Sequence, residues 1–567
     1  MADTSNSVPW YEGPVPERSW RSIFRWGSPE KFKHPNTGLV RLMKERLGVP
    51  PEQLKEPVSL GLSPVEDTEP VMLKGKLIQK FAGIVGEENV QLDTYSRTRA
   101  SYGQGMVDAI RLREGVSENL PDVVLHPRNK DEIAAIVKIC HKKRVPLYVV
   151  SGRSSVTRGY EAVKGGVTID VSTHLNKVIR INEINQTVTV QPGIFGPALE
   201  ETLNEVGYTC GHFPQSFEFS TVGGWVSARG AGQNSTYYGK IEDLVVSQEY
   251  VTPVGTIRTR DYPRQATGPD IDQVMIGSEG IFGVLVEVTL KIFRYVPKNT
   301  RRFSYMFKTW EDAQAAGREI LQMEAGMPSV FRISDPEETE IAMHLYGVAG
   351  TPAETVLSML GFKTDQKCLM LGTTEGEKGF AKNLHKKIRQ VVRKYGAFPL
   401  TGWVVRRWEH SRFLDPYMRD DLGDFGVMID TLECAVTWER LPKVHAGVRE
   451  VVKAREGTIC MTHMSHFYPQ GANLYFIFIT RYIDYQDYLR LQYSVLEAIQ
   501  ANGASMSHHH GMGKQLAPWL PGQMGEEQMG VLRALKQHFD PRGIMNPGGT
   551  LALDMNEAQQ EKHWGLA

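Results

Sequence analysis

Three stretches between Val149 and Gly283 hold residue types suited to a dinucleotide phosphate. The first is Val149, Val150, Ser151, Gly152, Arg153, Ser154 and Ser155, between two strand-like segments. Small residues let backbone N–H groups approach a pyrophosphate, and serine hydroxyls add donors. The second is Pro214, Gln215, Ser216, Phe217, Glu218, Phe219 and Ser220, continuing to Ser227, Ala228, Arg229 and Gly230. The third is Gly277, Ser278, Glu279, Gly280, Ile281, Phe282 and Gly283. One such stretch would read as a turn whose glycines supply positive φ. Three in order within one segment favour a dinucleotide.

Other candidates lie further along. His508, His509 and His510 are adjacent. Metal ligation is the generic reading of such a tract, but no neighbouring carboxylate or cysteine completes a ligand set, so no metal is expected. On an extended segment neighbours alternate faces, so one or two would point at a site and the other support them. Arg419 could fork a phosphate or carboxylate, or pair at the surface with Asp420 or Asp421. Tyr475, in Asn473 to Phe478, shares a strand face with Ile477. Taken alone it reads as a packed core tyrosine.

These residues need elements to hold them. Residues 1–119 are rich in Pro, Trp and charge and show no independent domain, although Gly38 to Leu47 suits a helix. Leu120 to Pro127 reads as a strand, Asp131 to Lys142 as a helix, and Pro146 to Val150 and Gly166 to Val171 as strands. Val178 to Ile181, Thr187 to Gln191, a hairpin turning at Val254-Gly255, and Val284 to Phe293 suggest a second small sheet. Residues 120–296 therefore read as an α+β module of two small sheets. Residues 297–501 alternate charged helices (Trp310 to Met323, Gly379 to Tyr395) with strands (Gly426 to Cys434, Asn473 to Thr480), a second domain. The tail, 502–567, is expected to return to the first domain or to the interface.

The chain has 567 residues, too many for one core. It is 41 % hydrophobic and 23 % charged, ordinary for a globular enzyme. Lys plus Arg equals Asp plus Glu at 65 each, so nothing marks a nucleic-acid binder. Five dispersed cysteines form neither a disulfide framework nor a zinc pattern, which fits a reducing compartment such as the cytoplasm. No secretory signal, membrane span or C-terminal peroxisomal address is read. Peripheral membrane contact stays open: Trp519 and Leu520 could face lipid or pack inside.

Thr267 to Asp270 followed by Met275 to Gly280 resembles the vanillyl-alcohol-oxidase type of FAD-binding fold. Phe219 to Ser227, Tyr238 to Val246, and Ser507 to Lys514 with its histidine triplet resemble the alkyldihydroxyacetonephosphate synthase family, from about Trp20 to Asn546. The resemblance implies an α+β chain with a two-subdomain FAD-binding module and an α/β cap domain for substrate. It implies FAD held noncovalently by the three loops and Ser227 to Gly230, with Asn546 near a C-terminal family asparagine. It implies exchange of the fatty acid of acyl-dihydroxyacetone phosphate for a fatty alcohol, without net redox change. In this reading Tyr475 is the general acid/base, provided its surroundings lower its pKa. The three histidines are the essential triplet, and Arg419 and Arg332 serve the substrate. A small-molecule lipid or other anionic substrate and a homodimer are expected.

Two positions depart from the family. Arg153 follows Gly152 where the family has consecutive glycines. His463 stands where the family has an arginine, and histidine is only partly charged at neutral pH. A redox enzyme acting on a 2-hydroxy acid or another alcohol is the alternative on the same scaffold.

Overall fold

In the computed structural model, residues 8–66 and 69–554 are described; both chain ends, on which the targeting expectations bear, lie outside them. The first sheet contains β1 (Val90–Gln91), β2 (Val123–Leu125), β3 (Leu147–Val150) and β4 (Val167–Asp170), in the order β1-β2-β4-β3. β2 and β3 both run parallel to β4. β2, β3 and β4 are buried almost throughout, and β2 and β3 accordingly read as continuous apolar runs. The helix Lys130–Lys143 connects β2 to β3. Asn129 caps it by accepting from the N–H groups of Asp131 and Glu132. Its buried residues are Ile133, Ile136, Val137 and Cys140, the set given by the helical spacing.

The second sheet is antiparallel: β5 (Val178–Asn182), β6 (Thr187–Val190), β8 (Val245–Thr252), β9 (Gly255–Arg258) and β10 (Val284–Lys291), in the order β5-β6-β10-β8-β9. A short ribbon pairs β7 (Tyr208–Thr209) with β11 (Phe293–Arg294).

The third sheet carries the cap. Its strands are β12 (Arg301–Phe307), β13 (Phe331–Ser334), β14 (Cys368–Thr374), β15 (Phe398–Pro399), β16 (Val427–Thr437), β17 (Thr458–Tyr468) and β18 (Gly471–Arg481). They lie in the order β15-β12-β14-β13-β17-β18-β16. β16 and β18 pair along their full 11 residues. One apolar core runs without a break from Val188 and Leu290 of the second sheet to Phe331 and Phe476 of the third.

The boundary expected at residue 120 is crossed. Helix Gly75–Val85 buries Phe81 and Val85 against the first sheet, and β1 pairs with β2. Helix Thr37–Leu47 instead joins the cap, sharing a cluster with Ile341, Met461 and Ile479. Buried ion pairs Arg21–Asp424 (2.8 Å) and Arg25–Asp421 (3.2 Å) tie the same N-terminal region to the cap. The tail reaches back to the first sheet, where Met545 bridges Leu147. Trp519 and Leu520 pack inside, Trp519 against Tyr493. Among the described residues no helix is long and apolar enough to cross a membrane.

Candidate active site

A cavity of about 480 Å³ lies between the first two sheets and the cap, within the usual range for a small-molecule site. The first stretch, 149–155, lines it throughout. The second contributes 214–216, 220, 227, 228 and 230, and the third 279, 280 and 283. Among the described residues, the backbone N–H groups of 151–155 donate to no protein acceptor. Such a row of free donors is what a pyrophosphate needs. A Cβ on Gly152 would lie 2.5 Å from the carbonyl oxygen of Phe219, so the first and second loops touch backbone to backbone. Thr221 Oγ1 donates to Ser151 Oγ at 2.8 Å and locks that contact. The donor set and the cavity lined by all three loops fit FAD.

Several residues assigned to the cofactor by loop membership turn away from the cavity. Phe217 packs on Phe213 and Phe413, Glu218 pairs with Lys31, and Phe219 packs on Trp26. Arg229 bonds the carbonyls of Gln273 and Ile276, with Gly277 against its side chain. Ser278 and Ile281 are buried, and Phe282 packs at a tilt on Phe539 in the core. Asn546 Nδ2 donates to the carbonyls of Gly159 (2.8 Å) and Glu279 (2.6 Å), bracing two loops from behind. The common reason is that these loops offer their backbone to the cavity and spend their side chains on holding shape.

Arg153 occupies a left-handed conformation, φ 62°, where glycine would be free of strain. Its guanidinium pairs with Asp170 at the end of β4. Asp170 is shared with a second guanidinium, Arg99, whose pKa Arg153 pushes down, so this corner of the cavity keeps positive charge.

The cap contributes side chains rather than backbone. Register aligns Glu433 of β16 with Tyr475 of β18, Tyr475 with His463 of β17, and His463 with Ser334 of β13. Directly paired residues point to the same face, so one rung carries four polar side chains across four strands. Tyr475 donates to Thr431 Oγ1 at 3.2 Å and stacks on His463 with ring centroids 5.0 Å apart. Burial pushes its phenol up to about 12, against the bond to Thr431. The lowered pKa set as a condition for the acid/base role is not what the site gives: the phenol keeps its proton at neutral pH.

His463 Nδ1 lies 3.1 Å from Glu338 Oε2, and Glu338 also pairs with Arg332. Burial alone would raise Glu338, but Arg332 and His463 override it and hold it at about 2. His463 is shifted down by burial and by Arg332. Arg332 lines the cavity and spends one nitrogen on Glu338. Arg419 also lines it but is heavily engaged. It donates to Asp420, to the carbonyls of Gln104 and Phe24, and to Gln104 Oε1. The carboxylate considered as its surface partner, Asp420, is a buried one.

The histidine triplet is not extended. Its backbone curls so that the N–H groups of His508, His509 and His510 all donate to the Glu433 carboxylate, at 2.7, 3.0 and 3.0 Å. His509 and His510 line the cavity. His508 turns to Tyr468, 2.7 Å from its hydroxyl. Burial, then neighbouring cationic and imidazole groups, push His508 and His509 well down, and burial lowers His510. The ligand set thought incomplete does gain a carboxylate: Glu433, His508 and His509 place one ligand atom each within 4.8 Å of the others. A cation there would have to displace the N–H donors from Glu433.

Four neighbours went unread in the sequence. His466 sits at φ 46° in the bulge of β17, bonds Ser235 Oγ (2.8 Å), and stacks on His508. Lys240 Nζ donates to the His508 carbonyl at 2.6 Å. Thr431 and Glu433 come from β16. β17 is not among the strands the spacing predicts, so nothing in the sequence placed His466 near the site, although His463 stood out by its departure from the family.

The FAD binding domain family matches residues 121–260, and the C-terminal domain of FAD linked oxidases matches 296–550. Alkyldihydroxyacetonephosphate synthase of Dictyostelium discoideum is 30 % identical over 559 residues, covering 94 % of this chain and 91 % of the relative. The chain belongs to the alkyldihydroxyacetonephosphate synthase family. Its relative in Caenorhabditis elegans is 30 % identical over 487 residues, 81 % of each chain. A solved alkyldihydroxyacetonephosphate synthase superposes with a TM-score of 0.80 at 26 % identity, over 93 % of this chain and 99 % of that one. As a member of this family the chain is an FAD-dependent enzyme acting on a small molecule, with the two-subdomain flavin module and cap of the vanillyl-alcohol-oxidase type.

Proposed function

We propose that this enzyme exchanges the acyl chain of acyl-dihydroxyacetone phosphate for a fatty alcohol, forming an ether without net redox change. The carrying observation is the lining of this cavity. It joins the flavin loops, Tyr475, His509 and His510 with the apolar side chains of Leu39, Met43, Ile341 and Leu345. When bound, FAD supplies an electron-poor ring against which one oxygen substituent of the substrate carbon can be traded for another.

The protein's own groups manage the protons. The C1–O bond to the fatty acid breaks, and the bond from C1 to the alcohol oxygen forms. Tyr475, still protonated, gives its proton to the departing carboxylate only as it receives another in relay, since a phenol pushed up to about 12 does not protonate a carboxylate outright. A neutral imidazole, His509 or His510, takes the alcohol proton and returns it to the tyrosine. Ring centroids 5.9 and 5.6 Å from Tyr475 put both histidines within reach of a shared substrate. Arg332 is a cap guanidinium in the cavity with nitrogens to spare for the headgroup, and Arg419 helps shape that end.

The test mixes purified holoenzyme with palmitoyl-dihydroxyacetone phosphate and hexadecanol, following ether product and flavin absorbance. Ether formed while the flavin ends oxidised is expected. Bleaching by a 2-hydroxy acid with no ether formed would replace this reading with the redox one.

A further inference from the structure

Glu433 does not line the cavity, yet it organises what does. Its carboxylate accepts from Ser507 Oγ (2.7 Å) and from three consecutive backbone N–H groups, those of His508, His509 and His510. Three successive N–H groups converging on one anion form a nest, with charge-assisted bonds roughly twice as strong as neutral ones. Glu433 is 2 % exposed, so water offers it little competition. The far end of the same turn is held by a second carboxylate: both Glu279 oxygens accept from Gly513 N–H, at 2.9 and 3.0 Å.

What matters is where Glu433 stands. It is the register partner of Tyr475 along two strands paired over 11 residues. A slip by one residue would turn both side chains to the opposite face. The anchor of the histidine turn and the tyrosine are thus set by a single rung. The turn has no ladder of its own to fix it: between helix Tyr485–Ala501 and helix Gly513–Leu516 it belongs to no helix or strand.

We propose that Glu433 is the positioning residue of the reaction, fixing His509 and His510 against Tyr475 by holding the backbone of the histidine turn. It touches neither substrate nor cofactor in this role. The proposal rests on the ether-forming reading only where turnover is the readout.

The first test needs no variant. In the wild-type holoenzyme, amide hydrogen exchange at His508 to His510 is expected to be slowed by about 10³-fold or more relative to open chain. Exchange at loop rates would overturn the proposal. The second test is Glu433→Gln, which turns an NH₂ group toward backbone donors. FAD content should hold while the three amides exchange at least about tenfold faster. The value of kcat for ether formation should fall roughly 100-fold, with KM within about threefold, as expected for misplaced groups. Glu433→Asp, which keeps the acceptor charge, should recover kcat to within about tenfold of wild type. Unchanged exchange and kcat in the Gln variant would sink the idea, as would equal losses in Gln and Asp with protection intact. Should the Gln variant lose FAD or fail to fold, the wild-type exchange rates decide alone. Wild-type enzyme that makes no ether would remove the proposed reaction and leave the anchoring measurement standing.

Discussion

The flavin cradle and the cap rung solve the same problem, placing polar groups in a cavity, by opposite means. The cradle uses backbone. Its free N–H groups lie in one continuous stretch, 151–155, and its side chains brace the loops from behind. The rung uses side chains. Glu433, Tyr475, His463 and Ser334 come from four strands spread over more than a quarter of the chain and meet only through register. The cradle should therefore fail when its close approach is blocked, and the rung when a single functional group is removed.

The largest expected effect falls on the rung. Tyr475→Phe should retain FAD and lose about 10³-fold in kcat, measured at matched flavin content. Retained turnover would remove Tyr475 from the proton path. Arg419 should behave unlike either region. Arg419→Ala strips the carbonyls of Gln104 and Phe24 of their guanidinium donor and leaves Asp420 to Trp26 N–H and Arg25, so destabilisation by about 1–3 kcal/mol should dominate, read by denaturant unfolding. A change in KM alone would return it to simple substrate binding.

Gly152→Val tests the cradle. Its side chain would meet the Phe219 carbonyl, so FAD affinity should drop by roughly 100-fold in a fluorescence titration. Molecules that still hold flavin should keep near-normal kcat. Loss of kcat without loss of FAD would blur the division between the two regions.

The smallest effect concerns the link between them. Burial raises Glu279 from its ordinary 4.5 to about 7, against the bond from Gly513. Over that interval the folded protein holds a proton that the unfolded chain has released. Stability contributed by this group is thus complete below pH 4.5, declines as pH rises to about 7, and falls no further above it. The melting temperature of Glu279→Gln should accordingly drop less between pH 5 and 7.5, by about 2 °C. Identical slopes would show that Glu279 is ionised throughout.

Legibility follows the same division. The strands Leu147–Val150 and Val167–Asp170 and the helix between β2 and β3 were readable because burial and spacing are local properties. β17 was missed. Its 11 residues are buried on both faces in the middle of a sheet, so Thr458 to Tyr468 shows no alternation to detect. The histidines were visible as a tract, but their shape was not: an extended run was inferred, and a turn around a carboxylate 75 positions away is found. The direction of the shift at Tyr475 was open in the sequence, because burial depends on neighbours that spacing cannot supply.

By itself the sequence determined the flavin cradle, since a pyrophosphate is bound by the backbone of short contiguous loops and glycine marks where that backbone must come close. It determined also that a tyrosine, three histidines and two arginines were available for chemistry. Only the tertiary structure decided their partners, as strand register is a cooperative property of the whole sheet. It set Tyr475 beside Glu433, gave the histidines a common anchor, engaged Arg419 in structure, and left Arg332 facing the cavity.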